Sequence, residues 1–185
     1  MRVLHVIDSL DQGGAETSLT ELLPALVAEG LDIVLVTLRD GGVSADELAA
    51  AGVRTARIHD TGRIGRAREL RRLIRSIRPD LVHATLYESD LASRLALLGT
   101  RTPLVTSLVS TPYGPELRAA GIRHWLAYGV DVLSARRVDA AIANAPSVGR
   151  TMRARLVLGR RPVLVCPRSR DPERFRPGGV DERAR

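Results

Sequence analysis

The sequence predicts an α/β fold: a doubly wound, mainly parallel sheet of about seven strands with helices on both faces. Short apolar runs rich in Val, Ile and Leu alternate with helical segments along the whole chain. Such near-continuous runs are typical of parallel strands buried on both faces. The helical segments end at glycines or before a proline, as helices commonly do. Repeated β-α units require right-handed crossovers, which place helices on both faces of the sheet.

The individual elements follow from these patterns. The predicted strands are Val3–Ile7, Ile33–Leu38, Val53–Ile58, Leu81–Ala84, Leu104–Leu108, Ala140–Ala143 and Val163–Val165. The predicted helices are Ala15–Glu29, Ala45–Ala51, Arg66–Ile77, Asp90–Leu98, Glu116–Arg137 and Ser147–Leu158. Ser44 is a candidate N-cap of the second helix, and Gly121 marks a break in the fifth. Ligands of such sheets bind outside the carboxyl ends of the strands, so each turn after a strand is a candidate site wall.

Composition limits the classes of partner. The chain has 28 basic and 21 acidic residues, a net charge of +7, and every basic residue is arginine. This bias reflects either an arginine-rich genome or a surface that attracts anions. Aromatic residues make up only 3% of the chain, which leaves little with which to stack unpaired bases. We therefore expect no nucleic-acid partner.

Cysteine content and hydropathy indicate a compartment. A single cysteine, Cys166, excludes an internal disulfide and fits a reducing environment. No apolar run approaches the length of a membrane span, and the N-terminus enters a strand without a leader segment. These features predict a cytoplasmic protein, with a peripheral position at the inner membrane face as an alternative.

The chain divides into one domain and a tail. Residues 1–167 form the predicted domain, and residues 168–185 are rich in charge, Pro and Gly. That composition is typical of a linker. We expect the linker to lead to a second domain.

The turn after the first strand is the strongest candidate site. Gly13 and Gly14 lie between Val3–Ile7 and the helix that follows. Adjacent glycines let a ligand approach the backbone, and the first amides of a helix point at an anion such as phosphate. In the same region, Asp11 is either a candidate contact for a ligand hydroxyl or a solvated loop carboxylate. Glu16 is either a substrate contact or simply a carboxylate favoured by the helix dipole.

Further candidates follow the fourth and fifth strands. His83 lies near the end of a predicted buried strand and is either a core histidine or a site residue. Ser107, Ser110 and Thr111 lie at the end of the next strand, where hydroxyls can meet a sugar or cap the local turn. Tyr113 offers an apolar ring face and a hydroxyl to a carbohydrate. The sequence shows no spacing typical of metal ligands and no Ser-His-Asp arrangement, and it identifies no catalytic residue.

The third predicted helix is strongly basic. Its apolar stripe consists of Leu70, Leu73, Ile74 and Ile77. Its other positions include Arg68, Arg71, Arg72 and Arg75. Such a face is either solvated or a peripheral contact with an anionic membrane, to which each basic residue adds about 1 kcal/mol.

Five sequence elements occur in an order and spacing that resemble the N-terminal domain of glycosyltransferase family 4. They are VLHVIDSLDQGGAE (3–16), DLVHAT (80–85), PLVTSLVSTPYG (103–114), AAIANAPSV (140–148) and VCPRSRDPERFRP (165–177). Members of this family are retaining enzymes with the GT-B fold, two Rossmann-like domains with the active site in the cleft between them. The resemblance implies that this chain is the acceptor-side half of such an enzyme. It also implies a nucleotide-sugar donor held mainly by a second domain, a carbohydrate or lipid-linked acceptor, and no metal or other cofactor.

By the same resemblance, Gly13 and Gly14 would face the donor diphosphate, and the chain would be inactive without a donor-binding domain. The chain departs from the family where Val109 and Thr85 replace common histidines. These changes imply a divergent subfamily, a different acceptor or reduced activity. The alternative is a non-catalytic Rossmann-like module that binds a phosphorylated ligand or a protein partner. A dinucleotide-dependent oxidoreductase is disfavoured, because GGAETS lacks the G-x-G-x-x-G pattern.

Overall fold

The structure is a computed structural model that describes residues 1–11, 13–41, 45–112 and 121–168. The strands are β1 Arg2–Ile7, β2 Asp32–Thr37, β3 Arg54–Arg57, β4 Leu81–Thr85, β5 Leu104–Leu108, β6 Ala140–Ala143 and β7 Val163–Val165. The helices are α1 Gly14–Ala28, α2 Ala45–Ala50, α3 Arg63–Ile77, α4 Tyr87–Ala96, α5 Ile122–Ser134 and α6 Pro146–Arg155. A short 3₁₀ helix, Ala135–Arg137, follows α5.

The seven strands form one sheet in the order β3-β2-β1-β4-β5-β6-β7. Every pairing is parallel. The order reverses at β1, which lies between β2 and β4, and the carboxyl edge beside such a reversal is where doubly wound sheets bind ligands. The predicted doubly wound sheet is therefore confirmed.

Two helices begin three residues earlier than the sequence predicts. Helix α3 begins at Arg63, directly after its N-cap Gly62. Helix α4 begins at Tyr87, because Leu86 has a φ of 79° and turns the chain sharply after β4. Helix α5 begins at Ile122 after the N-cap Gly121, so the predicted break is a helix start. The predicted N-cap Ser44 and the predicted helical residues 116–120 lie outside the described residues.

Helices cover the two faces of the sheet unequally. On one face, called here the α1 face, α1 and α2 pack on β1 and β2 around Leu19, Leu23 and Leu48. On the opposite face, called the α3 face, α3 and α4 pack on the central strands around Leu70 and Ile74. Helix α6 covers β5 and β6 on the α3 face through a third cluster. The α1 face of β5–β7 keeps only partial cover, since Ser107 and Ile142 are half-buried and Leu164 is 61% exposed.

The basic helix α3 packs with its apolar stripe inward, as predicted, but not all of its arginines face solvent. Nη1 of Arg71 donates to the carbonyl oxygens of Ala96 at 2.9 Å and Leu98 at 2.7 Å, at the end of α4. Arg71 therefore joins two helices and is not part of a free basic face, which corrects its assignment to a membrane contact. Arg72 and Arg75 are exposed. Within the described part of the chain, no helix is long and apolar enough to cross a membrane.

Candidate functional site

A pocket of about 200 Å³ lies on the α1 face, between the first turns of α1 and the carboxyl ends of β4–β7. It forms because α1 covers β1 but leaves the half of the sheet beyond β4 partly open. The lining side chains come from α1, from the strand ends and from the segment after β7. They are Ala15, Ser18, Leu19, Leu22, His83, Thr85, Ser107, Val109, Ile142, Asn144, Cys166, Pro167 and Arg168.

The glycine turn borders this pocket. Gly13 is the N-cap of α1 and Gly14 its first residue. The first amides of a helix have no partner within the helix, and Gly13 has no side chain to accept from them. The turn therefore presents backbone donors and the positive end of the α1 dipole beside the pocket.

Neither glycine is required by the fold of the described residues. Gly13 has an extended φ of −158°, which any residue adopts. A methyl group on Gly14 would have Nη1 of Arg168, 3.9 Å away, as its nearest neighbour. A methyl group on Gly13 would have the carboxylate of Glu16 as its nearest neighbour, and that flexible side chain can rotate away. Among the described residues, flexible side chains rather than backbone thus lie nearest to both glycines.

Two charged side chains lie at the turn. The Glu16 carboxylate folds back over Gly13, so a negative group already occupies the helix N-terminus. Nη1 of Arg168 donates to the carbonyl oxygen of Gly14 at 2.6 Å, and Oγ of Ser18 donates to the same oxygen at 2.7 Å. Arg168 thereby connects the end of β7 to the start of α1 and sets a positive charge at the mouth of the pocket.

A histidine of β4, packed against a buried histidine of β1, lies at the floor of the site. His5 of β1 and His83 of β4 are adjacent in the sheet, with ring centroids 4.7 Å apart. Nε2 of His83 and Oγ of Ser107 share a hydrogen bond of 2.8 Å. Burial lowers the pKa of His83 to about 4. Burial and the neighbouring His83 lower the pKa of His5 well below its usual range. Both rings are therefore neutral at pH 7, and His83 offers the pocket a hydrogen-bonding group rather than positive charge.

Asn144 and Val109 form the wall opposite α1. Nδ2 of Asn144 donates to the carbonyl oxygen of Val109 at 3.0 Å, which joins the turns after β5 and β6. Oδ1 of Asn144 is buried and has no hydrogen-bond partner within the described residues. Val109, at the position where the family commonly has a histidine, presents an apolar side chain to the pocket. This wall therefore offers one acceptor atom beside an apolar surface.

Three further predicted site residues, among those described, lie outside the lining of the pocket. Asp11 accepts a hydrogen bond of 2.8 Å from Oγ of Ser9 and is exposed. Ser110 and Thr111 follow β5 and are exposed, outside the lining of the pocket. Tyr113 lies outside the described residues.

Asp8, in the same turn as Asp11, has a structural role. Its Oδ1 accepts from the amide of Ser89 at 2.8 Å and from Oγ of Ser89 at 2.5 Å, so it caps the first turn of α4. Burial raises the pKa of Asp8, and the two bonds from Ser89 oppose that rise. Among the described residues, no three His, Cys, Asp or Glu side chains are grouped as ligands for a metal ion. That no metal is needed stays a prediction.

Besides Ser18 of α1, sequence reasoning missed three polar residues of the pocket. Asn144 is the first residue after β6, and the rule that strand ends form site walls would have selected it. Arg168 was assigned to the linker, and only the tertiary fold brings it to Gly14 across 154 residues. Thr85, noted only as a replacement for a histidine, is buried and lines the pocket.

Comparisons with solved structures agree with this architecture. Alr3699/HepE of Anabaena in complex with UDP has a TM-score of 0.69 at 18% identity, covering 94% of this chain and 45% of that chain. A glycosyltransferase of Rickettsia africae has a TM-score of 0.68 at 16% identity, covering 98% and 46% of the two chains. Sucrose-phosphate synthase of Thermosynechococcus elongatus has a TM-score of 0.74 at 13% identity, covering 96% and 50%. No curated protein matches the sequence.

These likenesses show the fold: the chain is a Rossmann-like α/β domain of the GT-B type. It spans about half the length of the solved chains to which it is similar. A sequence model of Glycosyltransferase Family 4 matches residues 12–174, which include the glycine turn, the strand ends and the segment after β7. Because this match covers most of the chain, the protein belongs to glycosyltransferase family 4.

Proposed function

We propose that the chain is the acceptor-side half of a retaining glycosyltransferase that moves a sugar from a nucleotide-sugar donor to an acceptor. The observation that carries the proposal is the glycine turn. It combines free helix amides with two glycines that neither backbone conformation nor side-chain packing requires. An open turn of this kind is what a diphosphate needs for close approach.

The chemistry assigned to the turn is stabilisation of the leaving group. When the bond between sugar and diphosphate breaks, negative charge grows on the departing phosphate oxygen. Backbone amides of the first turn of α1 can donate to that oxygen, and preorganised donors stabilise such charge more than water does. Arg168, at the same turn, adds a positive charge. The Glu16 carboxylate would have to rotate away from Gly13 for the phosphate to bind.

The pocket supports the assignment of the acceptor to this half. Its apolar lining and its few polar atoms suit a ligand that carries both apolar and hydroxyl groups. Oδ1 of Asn144 and the pair His83–Ser107 are the groups placed to bond a hydroxyl. A lipid-linked saccharide has this mixed character, and we infer this acceptor class in preference to a free sugar.

Replacement of Gly14 by alanine tests the role of the turn. The variant is expected to fold and to keep or gain stability, since the methyl group has room and alanine favours helices by about 1 kcal/mol over glycine. Added UDP or pyrophosphate should shift the NMR signals of the amides of Gly14 to Glu16 in the parent chain. In Gly14→Ala the methyl group stands where phosphate approaches, so these shifts should weaken at least several-fold.

Gly129→Ala is the matched control, because Gly129 lies within α5, away from the pocket, and a methyl group there meets no atom within 4 Å. It should leave the UDP-induced shifts unchanged. Equal shifts in the parent chain and in Gly14→Ala would contradict the assignment of the turn.

One observation favours the alternative, a non-catalytic module. Val109 gives the pocket wall an apolar side chain where the family commonly supplies a hydrogen-bonding histidine. If Val109→His creates or raises transfer in the presence of a donor-binding half, the parent chain is a weakened enzyme. If binding of a phosphorylated sugar persists and no variant transfers sugar, the module is the better assignment.

We also propose that α3 makes a peripheral contact with an anionic membrane through three of its arginines. Arg68, Arg72 and Arg75 are exposed, and among the described residues they form no ion pair. Arg71 is excluded, because it bonds the end of α4. Basic residues in such positions favour binding to anionic headgroups.

A further inference from the structure

Helix α5 carries an apolar surface that the fold leaves uncovered. Five of the twelve large apolar side chains exposed in the described residues belong to this one helix. They are Ile122 (71% exposed), Trp125 (45%), Leu126 (63%), Val130 (42%) and Leu133 (62%). At 100° per residue they share one side of the helix, here called the α5 ridge, which is about 16 Å long.

A buried ion pair sets the orientation of the helix. Asp131 lies on the side opposite the ridge and is the one fully buried residue of α5 among those described. It pairs with the buried guanidinium of Arg94 on α4. Oη of Tyr128 donates to the carbonyl oxygen of Arg155 on α6 at 2.9 Å, so the inner side of α5 is held by both neighbouring helices. The side of α5 that carries Asp131 and Tyr128 therefore faces the protein, and the apolar side faces outward.

The ridge does not belong to the candidate sugar-transfer site. That site opens on the α1 face of the sheet, whereas α5 packs against α4 on the α3 face. We propose that the α5 ridge inserts into the surface of an anionic lipid bilayer and that α3 lies on the headgroups beside it. This extends the proposed contact of α3 with a membrane and is independent of sugar transfer.

Charge distinguishes a lipid surface from a second copy of the chain. Arg123 borders the ridge, is exposed and has no ion pair within the described residues. The one acidic residue of α5, Asp131, is buried. Two copies that met ridge to ridge would bring their Arg123 side chains together, in a protein of net charge +7. Anionic headgroups would instead neutralise this charge. An amphipathic helix with a basic residue beside its apolar side is typical of interfacial binding.

Trp125 reports insertion directly, because it is the single tryptophan of the sequence. Its ring makes an edge contact with Tyr128, with centroids 6.1 Å apart, and the side chain is 45% exposed. Vesicles that contain phosphatidylglycerol should shift the emission of the 185-residue chain to shorter wavelength, and brominated acyl chains should quench it. Vesicles of phosphatidylcholine alone should do neither. Absence of shift and quenching with anionic vesicles would overturn the proposal, as would an equal response to both lipids.

Substitutions distinguish the contribution of the α5 ridge to membrane binding from that of the basic helix α3. Leu126→Ser with Leu133→Ser should reduce partitioning onto anionic vesicles by roughly ten-fold or more, since two exposed leucines no longer enter the bilayer. Arg68→Gln, Arg72→Gln and Arg75→Gln should each cost about five-fold while Trp125 still inserts. Leu164→Ser, at a residue 61% exposed on the edge strand β7, is the matched control and should bind as the parent does.

Circular dichroism and the melting temperature establish that the ridge variant is folded. If the ridge variant is unfolded, the emission and quenching of Trp125 in the parent chain alone test whether the ridge inserts. Unchanged partitioning of a folded ridge variant would refute the role of the ridge. A concentration-dependent dimer that the ridge variant abolishes, without any binding to vesicles, would assign the surface to a second copy and overturn the lipid proposal.

Discussion

His83 shows how burial sets the chemistry of a single residue. Its position at the end of a buried strand left two interpretations open, a core histidine or a site residue. The ring packs on His5, as a core histidine does. It also bonds Ser107 and lines the pocket, as a site residue does. Burial lowers its pKa to about 4, so the ring is neutral wherever the protein is near pH 7.

This pKa predicts how stability depends on pH. Between pH 6.5 and about 4, the unfolded chain binds a proton at His83 and the folded chain does not, so stability falls as pH falls. One edge of the ring faces the pocket, and we therefore expect a loss of about 2 kcal/mol rather than the full value for a buried ring. In urea unfolding, His83→Gln should reduce this loss but not abolish it, because the buried His5 contributes in the same direction.

The exposed His124 provides the control for that experiment. His124→Gln should keep the pH dependence of the parent chain. If the parent and His83→Gln lose the same free energy of unfolding between pH 6.5 and 4, His83 is solvated. Its burial at the floor of the pocket would then be wrong.

At the scale of elements, the packing of α3 on α4 shows what periodicity can and cannot predict. The apolar stripe of α3 was predicted from spacing, and Leu70 and Ile74 are indeed in the core. Spacing also suggested that the arginines between them form one basic face. It could not show that the last carbonyls of α4 come within reach of Arg71, since that depends on how two helices cross.

Neighbouring arginines on α3 are expected to differ in their effect on stability. Arg71→Gln should lower the free energy of unfolding by about 1 kcal/mol, because two carbonyl oxygens at the end of α4 lose their donor. Arg72→Gln, at an exposed position, should change it by less than about 0.5 kcal/mol. Chemical denaturation of both variants checks this, and equal values would show that the bonds of Arg71 contribute nothing measurable.

Three residues, Asp90, Arg94 and Asp131, link α4 to α5, and the sequence alone did not predict this link. Asp90 and Arg94 have the i, i+4 spacing of a helical ion pair, yet their burial and the contact of Arg94 with Asp131 arise only in the fold. Burial raises the pKa of Asp90 to about 7 despite the nearby arginine and the bond from Thr106. This network fixes α5, and through α5 it fixes which side of that helix faces outward.

At the scale of the whole molecule, we propose that the chain supplies one wall of a GT-B cleft. The pocket opens at the carboxyl edge of the sheet, where a second domain would face it, and the chain spans about half the length of the related solved chains. We expect no turnover of nucleotide sugars by the 185-residue chain alone, since the donor sugar would have no second wall to hold it.

A panel of nucleotide sugars, with release of the nucleoside diphosphate as the readout, checks this expectation. Addition of a donor-binding half from the same source should produce release, and Gly14→Ala should suppress it. Sugar transfer by the chain alone would contradict the division of labour proposed for the two halves.

Local sequence determined the elements of this protein. Apolar runs, glycines and prolines act through neighbours in the chain, so the strands, their parallel arrangement and the glycine turn at Gly13 and Gly14 could be predicted. The tertiary structure alone decided which distant residues meet, such as Arg168 with Gly14 and Asn144 with Val109. It also decided that Asp131 lies inside and Trp125 outside, because burial of a charge requires a partner that only folding brings near.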